Sequence, residues 1–551
     1  LFDLDTPAIV IDSAWGRYLR VPSEQQVNRD GTPALAWKRQ PMIGQPLMIP
    51  VQEGPFDPPL VPCPDPDDGQ PEVVVEGRLR KTPHGWLLTV FLVNRQPEPA
   101  MSKDLAWLFQ PWLRVRAPDH RPLFVQRRFG TVDLSKLDPI TRTETEALAM
   151  LYRHHHEFAV GHGVAVHVTQ AEPGAARAIA VETTFTPLAE VAQQTPPTVE
   201  DPGFENLAGL TLDMQELATL PKPALIATLR IMADAYQTWI QQEVARSHHP
   251  AEGLADHQNA ATVAITACQR AHDRIQAGIA LIDQNSQAEA AFRFANRAMA
   301  LQRVHSILAQ QVRKKVREPG LDVTSVDVPD NRRWRLFQLA FILLNLPSVT
   351  DLHHPDRSHA TEAIADLLWF ATGGGKTEAY LGLTAYVLAL RRLQGEIEGR
   401  RGDYGVAVLM RYTLRLLTVQ QFQRAAALLC ACEVIRREDP ATWGEPPFRL
   451  GLWVGKKNTP NTLQQAAEVL EQAQGNHYQQ ATNRIGTPHQ ITSCPWCGET
   501  IGLAHLKVYT APSDIGRAVT YCGDALGLCP FSAAQSPKEG LPIMVVDEDI
   551  Y

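Results

Sequence analysis

The residues that most clearly predict chemistry form a glycine-rich loop in the second half of the chain. Three consecutive glycines, Gly373, Gly374 and Gly375, precede Lys376 and Thr377. Because glycine lacks a Cβ, backbone N–H groups can turn toward an anion, and a following helix adds the positive end of its dipole. The pattern predicts a nucleotide phosphate site. Lys376 would contact the β- and γ-phosphates, and the Thr377 hydroxyl would bind Mg²⁺.

The flanking segments predict how this loop is positioned. An apolar run at 366–370 predicts a buried strand that ends at the loop, and an apolar helix begins with Glu378 after it. The strict phosphate-loop pattern has a glycine where Phe370 stands, so that form is absent. From Thr372 onward the chain has the Thr-Gly-x-Gly-Lys-Thr form that superfamily 2 helicases and translocases use. We therefore expect the residues from Thr372 to Glu378 to bind ATP with Mg²⁺.

A glutamine upstream of the loop predicts a contact with the base of the nucleotide. Gln338 lies on an amphipathic helix that follows Trp334. Its side-chain amide can donate to and accept from an adenine edge, as the Q-motif glutamine of these motors does. An ordinary surface glutamine is the alternative interpretation.

A basic segment downstream of the loop predicts a nucleic-acid contact. A strand predicted at 406–410 is followed by four side chains that can donate to phosphate oxygens: Arg411, Thr413, Arg415 and Gln420. In such motors this position, called motif Ia, joins a strand-end loop to a helix N-terminus that holds the nucleic-acid backbone. The alternative is an amphipathic helix with exposed arginines.

Four cysteines near the end of the chain predict a structural metal site. Cys494 and Cys497 form a Cys-x-x-Cys knuckle, and Cys522 and Cys529 form a second, wider pair. Four thiolates complete a tetrahedral shell and leave no open position for catalysis. We predict Zn²⁺ in a ribbon at about 490–535. Four reduced structural cysteines are the alternative.

An acidic pair follows the last apolar run of the sequence. Asp547 and Glu548 resemble a Walker B box, in which the aspartate binds Mg²⁺ and the glutamate polarises the attacking water. The interval after Lys376 is long, even with an inserted ribbon. The alternative, which we favour, is that the pair caps the preceding strand and that the hydrolytic carboxylates lie beyond this sequence.

Composition limits the class of protein. The 551 residues are 44% hydrophobic, enough for several cores, and the length predicts about three or four domains. A net charge of −8 excludes a globally basic nucleic-acid binder, so nucleic acid must lie in a locally basic groove. Eight cysteines are too few for a disulfide scaffold. Without a long apolar run or a secretory signal, we expect a cytoplasmic protein with no membrane contact.

Changes in periodicity predict a multidomain α/β protein. Short apolar runs separated by Pro, Gly and Asp predict a β-rich, mostly antiparallel N-terminal domain at 1–195. Stretches rich in Ala, Leu and Gln predict a helical domain at 196–320. At 321–551, helices alternate with buried strands, which predicts a RecA-like lobe with a parallel sheet and an inserted zinc ribbon. We expect this first helicase lobe to be truncated, without the second lobe.

Several segments together resemble the DrmA family, the helicase-like subunits of the bacterial DISARM anti-phage systems. The main ones are 334–339, 368–380, 411–421, 494–498 and 546–551. The glycine loop is the most specific of them. The resemblance implies a DNA-acting ATPase that works with a DrmB partner subunit against foreign DNA. In such proteins an Asp-Glu box follows the final Asp-Ile-Tyr stretch, which agrees with the second interpretation of the acidic pair.

The predicted function is therefore that of an ATP-dependent DNA helicase or translocase subunit in an anti-phage defence complex. We expect it to bind single-stranded or end-containing DNA. One alternative is a scaffold without motor activity that senses nucleotide through the same loop. An RNA helicase has the same motifs and is the other alternative.

Overall fold

The computed structural model divides into two compact units. One contains Leu1–Gln193 and Ser247–Ala264, and the other contains Gln194–Arg246 and Ile265–Tyr551. The residues that the structure describes are 1–28, 30–58, 62–63, 73–100, 103–126, 134–172, 174–188, 195–314, 322–369, 373–412, 415–474, 486–509 and 516–550. The three-domain division expected from the sequence stays a prediction.

The first unit consists mainly of antiparallel strands, as its short apolar runs predict. Its elements are β1 (Ala8–Val27), β2 (Pro33–Gly44), β3 (Leu47–Pro50), β4 (Gly54–Phe56), β5 (Pro62–Cys63), β6 (Val73–Thr82), β7 (Gly85–Asn94), β8 (Phe109–Arg116), β9 (Phe124–Val125), α1 (Pro139–Leu151), β10 (Ala165–Gln170) and β11 (Arg177–Thr184). One sheet has the order β10-β11-β8-β1-β2-β5, and another has the order β4-β6-β7. Ile9, Ile11, Val75 and Leu79 lie in the core of this unit.

Helices dominate the rest of the chain. They are α2 (Met214–Thr219), α3 (Lys222–Ser247), α4 (Gln258–Gln284), α5 (Ser286–Arg313), α6 (Val323–Val326), α7 (Leu336–Thr350), α8 (Pro355–Ser358), α9 (Lys376–Gln394), α10 (Arg415–Glu438), α11 (Pro440–Trp443) and α12 (Leu463–Gln474). Short strands accompany them: β12 (Glu396–Ile397), β13 (Arg400–Arg401), β14 (Leu450–Gly451), β15 (Leu506–Tyr509), β16 (Arg517–Thr520) and β17 (Ile543–Met544). In the part of the chain that the structure describes, no helix combines the length and apolarity needed to cross a bilayer.

Helix α5 contacts several helices of the second unit. Asn285 caps its start by accepting hydrogen bonds from two backbone N–H groups of the first turn. Alanines at helical spacing line its buried face: Ala288, Ala291, Ala295 and Ala298. Because these side chains are short, α2, α9 and α10 pack directly against this helix. Helix α5 therefore supports α9, the helix that follows the glycine loop.

Helix α7, which precedes the glycine loop, meets α4 through main-chain atoms. Pro347 lies inside α7 and cannot donate the hydrogen bond that the Leu343 carbonyl would receive in a regular helix. Gly278 of α4 lies against this carbonyl. A Cβ atom at Gly278 would be only 2.0 Å from the Leu343 oxygen, so no larger residue fits at this crossing.

The predicted parallel sheet is represented by one pair of strands among the described residues. Strands β14 and β17 run parallel, with Leu450 opposite Ile543 and Gly451 opposite Met544. Strand β17 ends three residues before the acidic pair, and β14, beside it, ends at Gly451. The described residues show a mixed α/β protein with several separate sheets, and not a continuous parallel sheet.

The prediction of strands at 366–370 and 406–410, on either side of α9, is wrong. The described residues 366–369 and 406–410 form no strand, and Phe370 lies outside the described residues. Leu367, Trp369 and Leu409 are 82%, 84% and 81% exposed. An apolar run becomes a strand only when a neighbouring backbone bonds its N–H and C=O groups. The described part of the chain supplies no such partner here.

Candidate functional site

The glycine loop has the backbone conformation that its sequence predicts. Gly373 and Gly375 have φ angles of 85° and 86°, in the left-handed region that favours glycine. Helix α9 begins at Lys376, directly after the loop. A Cβ atom at Gly375 would lie 2.8 Å from the Gln338 side-chain nitrogen, whereas one at Gly373 would meet none of the described atoms within 4 Å. The loop is thus supported at Gly375 by a side chain of α7.

Gln338 supports the loop in this structure. The residue is 3% exposed. Its Nε2 donates to the Gly375 carbonyl at 2.7 Å, and its Oε1 accepts from the Arg335 N–H at 2.8 Å. The Arg335 guanidinium donates to the Gly374 carbonyl at 2.8 Å. Two side chains from the start of α7 therefore fix two loop carbonyls, while the predicted contact of Gln338 with adenine stays a prediction.

Thr377, the predicted Mg²⁺ ligand, lies in a small hydrogen-bonded group. The residue is 8% exposed. Its hydroxyl donates to Gln421 Oε1 at 3.3 Å and accepts from the Tyr380 hydroxyl at 3.0 Å. A hydroxyl has one proton and two lone pairs. These two hydrogen bonds use the proton and one lone pair, so the second lone pair can coordinate a cation. The arrangement fits the predicted role.

Glu378 adds a buried carboxylate to the first turn of α9. Its side chain is 10% exposed and pairs with Arg424 of α10, while Arg303 of α5 lies 3.6 Å away. Glu378 Oε2 is buried and has no hydrogen-bond partner among the described residues. A Cβ at Gly375 would be 3.5 Å from this oxygen. An unpartnered carboxylate oxygen beside the loop fits a site that takes a magnesium ion or its bound waters.

The structure locates part of the predicted nucleic-acid segment. Arg411 and Gln420 are exposed, and α10 begins at Arg415. Thr372, Thr413 and the side chain of Arg415 lie outside the described residues. Farther along α10, Gln421 and Arg424 contact the start of α9, so the same helix borders the basic segment and the glycine loop.

The four predicted metal ligands converge on one point. The Sγ atoms of Cys494, Cys497, Cys522 and Cys529 all lie within 4.8 Å of one another. The Cys494–Cys529 sulfur distance is 4.0 Å, and the Cys497–Cys522 distance is 3.3 Å. Zn–S bonds of about 2.3 Å in a tetrahedron separate the sulfurs by about 3.8 Å. The geometry fits four thiolates around one Zn²⁺.

The first knuckle is a tight turn that packs on α5. The Cys494 N–H donates to the Glu499 carbonyl at 2.8 Å, and the Gly498 N–H donates to the Cys494 carbonyl at 2.9 Å. Gly498 has a φ of 85°, and a Cβ there would lie 2.8 Å from the Ala309 oxygen of α5. Gly498 is needed both for the turn and for this close approach.

An aspartate that the spacing does not indicate organises the second knuckle. The Asp524 carboxylate accepts hydrogen bonds of 2.7 Å from the N–H groups of Leu528 and Cys529. Within the cluster, hydrogen bonds from Cys494 and the other thiols hold the pKa of the Cys497 thiol far below its usual value. The pKa values of the Cys494 and Cys522 thiols are raised, so negative charge is concentrated on Cys497, and a bound cation would be needed to hold all four sulfurs as thiolates.

A histidine from α5 completes the support of the cysteine cluster. The His305 ring stacks on Trp496, with centroids 3.4 Å apart and ring planes at 17°. His305 Nδ1–H donates to the Trp496 carbonyl at 3.0 Å. Burial lowers the pKa of His305 to about 4, so the ring is neutral at physiological pH.

Two cysteines of α10 are core residues. Cys430 and Cys432 of α10 are fully buried. Burial raises the pKa of both thiols, so they remain protonated. They pack as small apolar side chains.

The acidic pair near the end of the chain has a structural role in this fold. The Glu548 carboxylate accepts a hydrogen bond of 2.7 Å from the Leu463 N–H at the start of α12. The next residue, Asp549, accepts one of 3.0 Å from the Ala518 N–H of β16. Burial raises the pKa of Asp547. Glu548 thus caps the start of α12 and not the preceding strand, and the role of the pair as a Walker B box is still a prediction.

Sequence reasoning missed the residues that join the candidate sites to their surroundings. They are Arg303, His305, Arg335, Tyr380, Gln421, Arg424 and Asp524. Most contact a partner more than 30 residues away, so no local spacing indicates them. For Asp524, the local signal that could have been used is its position directly after the Cys-Gly dipeptide at 522–523.

Comparison with known proteins identifies a relative. No protein-family model matches the chain. The chain is 30% identical over 475 residues to the DISARM protein DrmA of Bacillus paralicheniformis, and the match covers 85% of this chain and 38% of that protein. The resemblance that the motifs predict is therefore confirmed: the chain is a relative of DrmA across most of its own length, and it spans 38% of the length of that relative.

Proposed function

We propose that the chain is the nucleotide-binding part of an ATP-driven DNA motor, a helicase or translocase subunit of an anti-phage defence system. The observation that carries the proposal is the loop from Gly373 to Thr377, with two left-handed glycines at the start of a 19-residue helix. The relationship to DrmA, a DISARM protein, supports the defence role.

The residues around the loop have complementary roles in this proposal. Bound ATP with Mg²⁺ supplies the phosphoanhydride bond that is cleaved. Backbone N–H groups of the loop and Lys376 bind the phosphates, and the remaining lone pair of Thr377 binds the cation. Glu378 Oε2, which has no hydrogen-bond partner among the described residues, would be available to accept from a water bound to that cation. Arg335 and Gln338 hold the loop carbonyls away from the phosphate oxygens.

The basic segment supplies the DNA contact. Arg411 and Gln420 are exposed beside the N-terminal part of α10, where Thr413 and Arg415 also lie in the sequence. The net charge of −8 requires such a local site, because the whole molecule repels a polyanion. We propose single-stranded or end-containing DNA as the ligand and a DrmB-like subunit as the protein partner.

The remaining elements support this assignment in part. The parallel pair of β14 and β17 is the kind of strand pairing that a RecA-like sheet contains. The four cysteines would hold a structural Zn²⁺ that stabilises the ribbon around them.

The proposal is tested by ATP hydrolysis measured with and without single-stranded DNA. We expect DNA to stimulate hydrolysis by the full-length protein, which would also contain the segments expected beyond this sequence, and Lys376→Ala to abolish it. Lys538→Ala removes the same charge from an exposed position and should retain wild-type rates. A protein that fails to bind Mg·ATP in calorimetry excludes the motor.

Two outcomes of the same experiment favour the alternatives. If Lys376→Ala removes nucleotide binding but no DNA-stimulated hydrolysis exists in the wild type, the chain is a nucleotide-sensing scaffold. If RNA of equal length displaces DNA and stimulates hydrolysis better at the same salt concentration, the chain acts on RNA.

A further inference from the structure

Three hydroxyl groups form a continuous path between the basic segment and the glycine loop. Tyr412 directly follows Arg411, and its hydroxyl donates to the Tyr380 hydroxyl at 3.4 Å. Tyr380 in turn donates to Thr377 Oγ1 at 3.0 Å, and Thr377 donates to Gln421 Oε1 at 3.3 Å. The path begins beside a proposed DNA contact and reaches the proposed cation ligand.

We infer that this path links DNA binding to cation binding, and that Tyr380 and Tyr412 are positioning residues for the Thr377 hydroxyl. The inference rests on the proposed nucleotide site and adds residues to it that the motif does not contain. Neither tyrosine contacts the nucleotide in this account; both act through Thr377.

The chemistry of the groups gives the path one direction. Each hydroxyl has one proton, and the final acceptor, the amide oxygen of Gln421, cannot donate. The proton of Thr377 therefore points to Gln421, and a lone pair is left for the cation. Burial and the hydrogen bond to Tyr380 raise the pKa of Tyr412, so its phenol stays protonated and remains a donor.

A second contact holds the same two helices together. Glu378, next to Thr377, pairs with Arg424, which lies one turn after Gln421 on α10. The start of α9 is therefore attached to one face of α10 by two adjacent contacts. The neighbouring Gln420 is exposed, so nucleic acid can bind there without displacing either contact.

The inference predicts that each tyrosine sets the magnesium requirement of nucleotide binding. Phenylalanine removes the hydroxyl and keeps the ring. For Tyr380→Phe we expect the Mg²⁺ concentration for half-maximal ATP binding to rise about fivefold, the effect of one lost hydrogen bond. Single-stranded DNA should lower this concentration in the wild type, and Tyr412→Phe should abolish that effect of DNA.

The experiment is a magnesium titration of fluorescent ATP binding, with and without a DNA oligonucleotide. Tyr404→Phe is the matched control, because Tyr404 is 76% exposed and lies outside the path. Thermal unfolding of each variant shows whether folding is retained. The magnesium requirement of the variant that carries both Tyr380→Phe and Tyr412→Phe should equal that of Tyr380→Phe alone, since both changes interrupt one path.

The outcomes separate the inference from the proposed function. If the wild type binds no nucleotide, the proposed function fails. If it binds Mg·ATP but DNA leaves its magnesium requirement unchanged, or if Tyr380→Phe and Tyr412→Phe titrate like the wild type, the inference is overturned and the nucleotide site stands.

Discussion

The cysteine cluster and the glycine loop are both recognised from short motifs, but they depend on their surroundings differently. In the cluster, the four ligand atoms are themselves the site, and they lie within 4.8 Å of one another. In the loop, the motif supplies the backbone bend, while Arg335, Gln338, Gln421 and Arg424 hold it in place. None of these four belongs to the motif.

This difference predicts how each site responds to the loss of one residue. A metal site made of four side chains is lost when one ligand is lost, because the metal supplies most of the local stability. A phosphate loop held by several hydrogen bonds and ion pairs should weaken in steps. The predictions below test this contrast, beginning with the largest effect.

Removal of one proposed zinc ligand should have the largest effect. For Cys494→Ser we expect loss of bound zinc and of folded structure around the knuckles, because structural zinc sites contribute about 10 kcal/mol. Metal analysis and thermal unfolding measure both effects. Cys268→Ser, outside the cluster, should retain one zinc per chain. Full zinc occupancy in Cys494→Ser would contradict a four-cysteine site.

Gly498→Ala tests the contact between the first knuckle and α5. A Cβ there meets the Ala309 oxygen at 2.8 Å in a left-handed conformation, so we expect the free energy of unfolding to fall by about 3 kcal/mol. Gly455 has a similar φ of 77°, and a Cβ there would meet none of the described atoms within 4 Å, so Gly455→Ala should lower the free energy of unfolding by only about 1 kcal/mol. Equal losses in the two variants would show that the knuckle does not pack tightly on the helix.

On the loop side, Glu378→Gln removes the charge that two arginines face. We expect a loss of about 2 kcal/mol in unfolding free energy and a higher magnesium requirement, because Arg424 and Arg303 lose a partly buried partner. Glu438→Gln is the control, since its pair with Arg297 is exposed and worth less than about 1 kcal/mol. Urea denaturation distinguishes the two. If Glu378→Gln left the free energy of unfolding and the magnesium requirement unchanged, the ion pair would not support the loop.

Gln338→Met should give the smallest effect. It preserves side-chain length and removes the hydrogen bond to the Gly375 carbonyl. We expect ATP affinity to fall about fivefold, as for one lost hydrogen bond. Gln464→Met, at an exposed position of α12, should leave affinity unchanged. If Gln338→Met abolished binding completely, the loop would depend on one residue as the cysteine cluster does, and the contrast would disappear.

Local periodicity predicted those parts of the fold in which local spacing determines burial. Antiparallel strands formed in the segment predicted to be β-rich, at 1–195, and the long helices α3, α4 and α5 formed in the segment predicted to be helical, at 196–320. The runs at 366–370 and 406–410 have strand-like composition, but a strand also requires a partner backbone, and the composition of one segment does not specify that partner.

The same limit applies to the candidate site. Spacing was enough to group Cys494 with Cys497, and glycine content was enough to predict the loop before Lys376. The pairing of Glu378 with Arg424 depends on how α9 packs against α10, and no pattern in either helix indicates it. Asp524 was missed for a related reason. Its carboxylate accepts hydrogen bonds from the N–H groups of Leu528 and Cys529, and these groups come within reach only when the second knuckle forms its turn.

The contact between Gly278 and the Leu343 carbonyl limits the axial movement of α7. A Cβ atom at Gly278 would lie 2.0 Å from this oxygen, so the two helices pack main chain against main chain at this point. The N-terminal end of α7 carries the side chains that hold the glycine loop, so the position of these side chains along the helix axis depends on the close contact between Gly278 of α4 and the middle of α7. A nucleotide-driven motion of this region should therefore rotate or tilt α7 and not slide it.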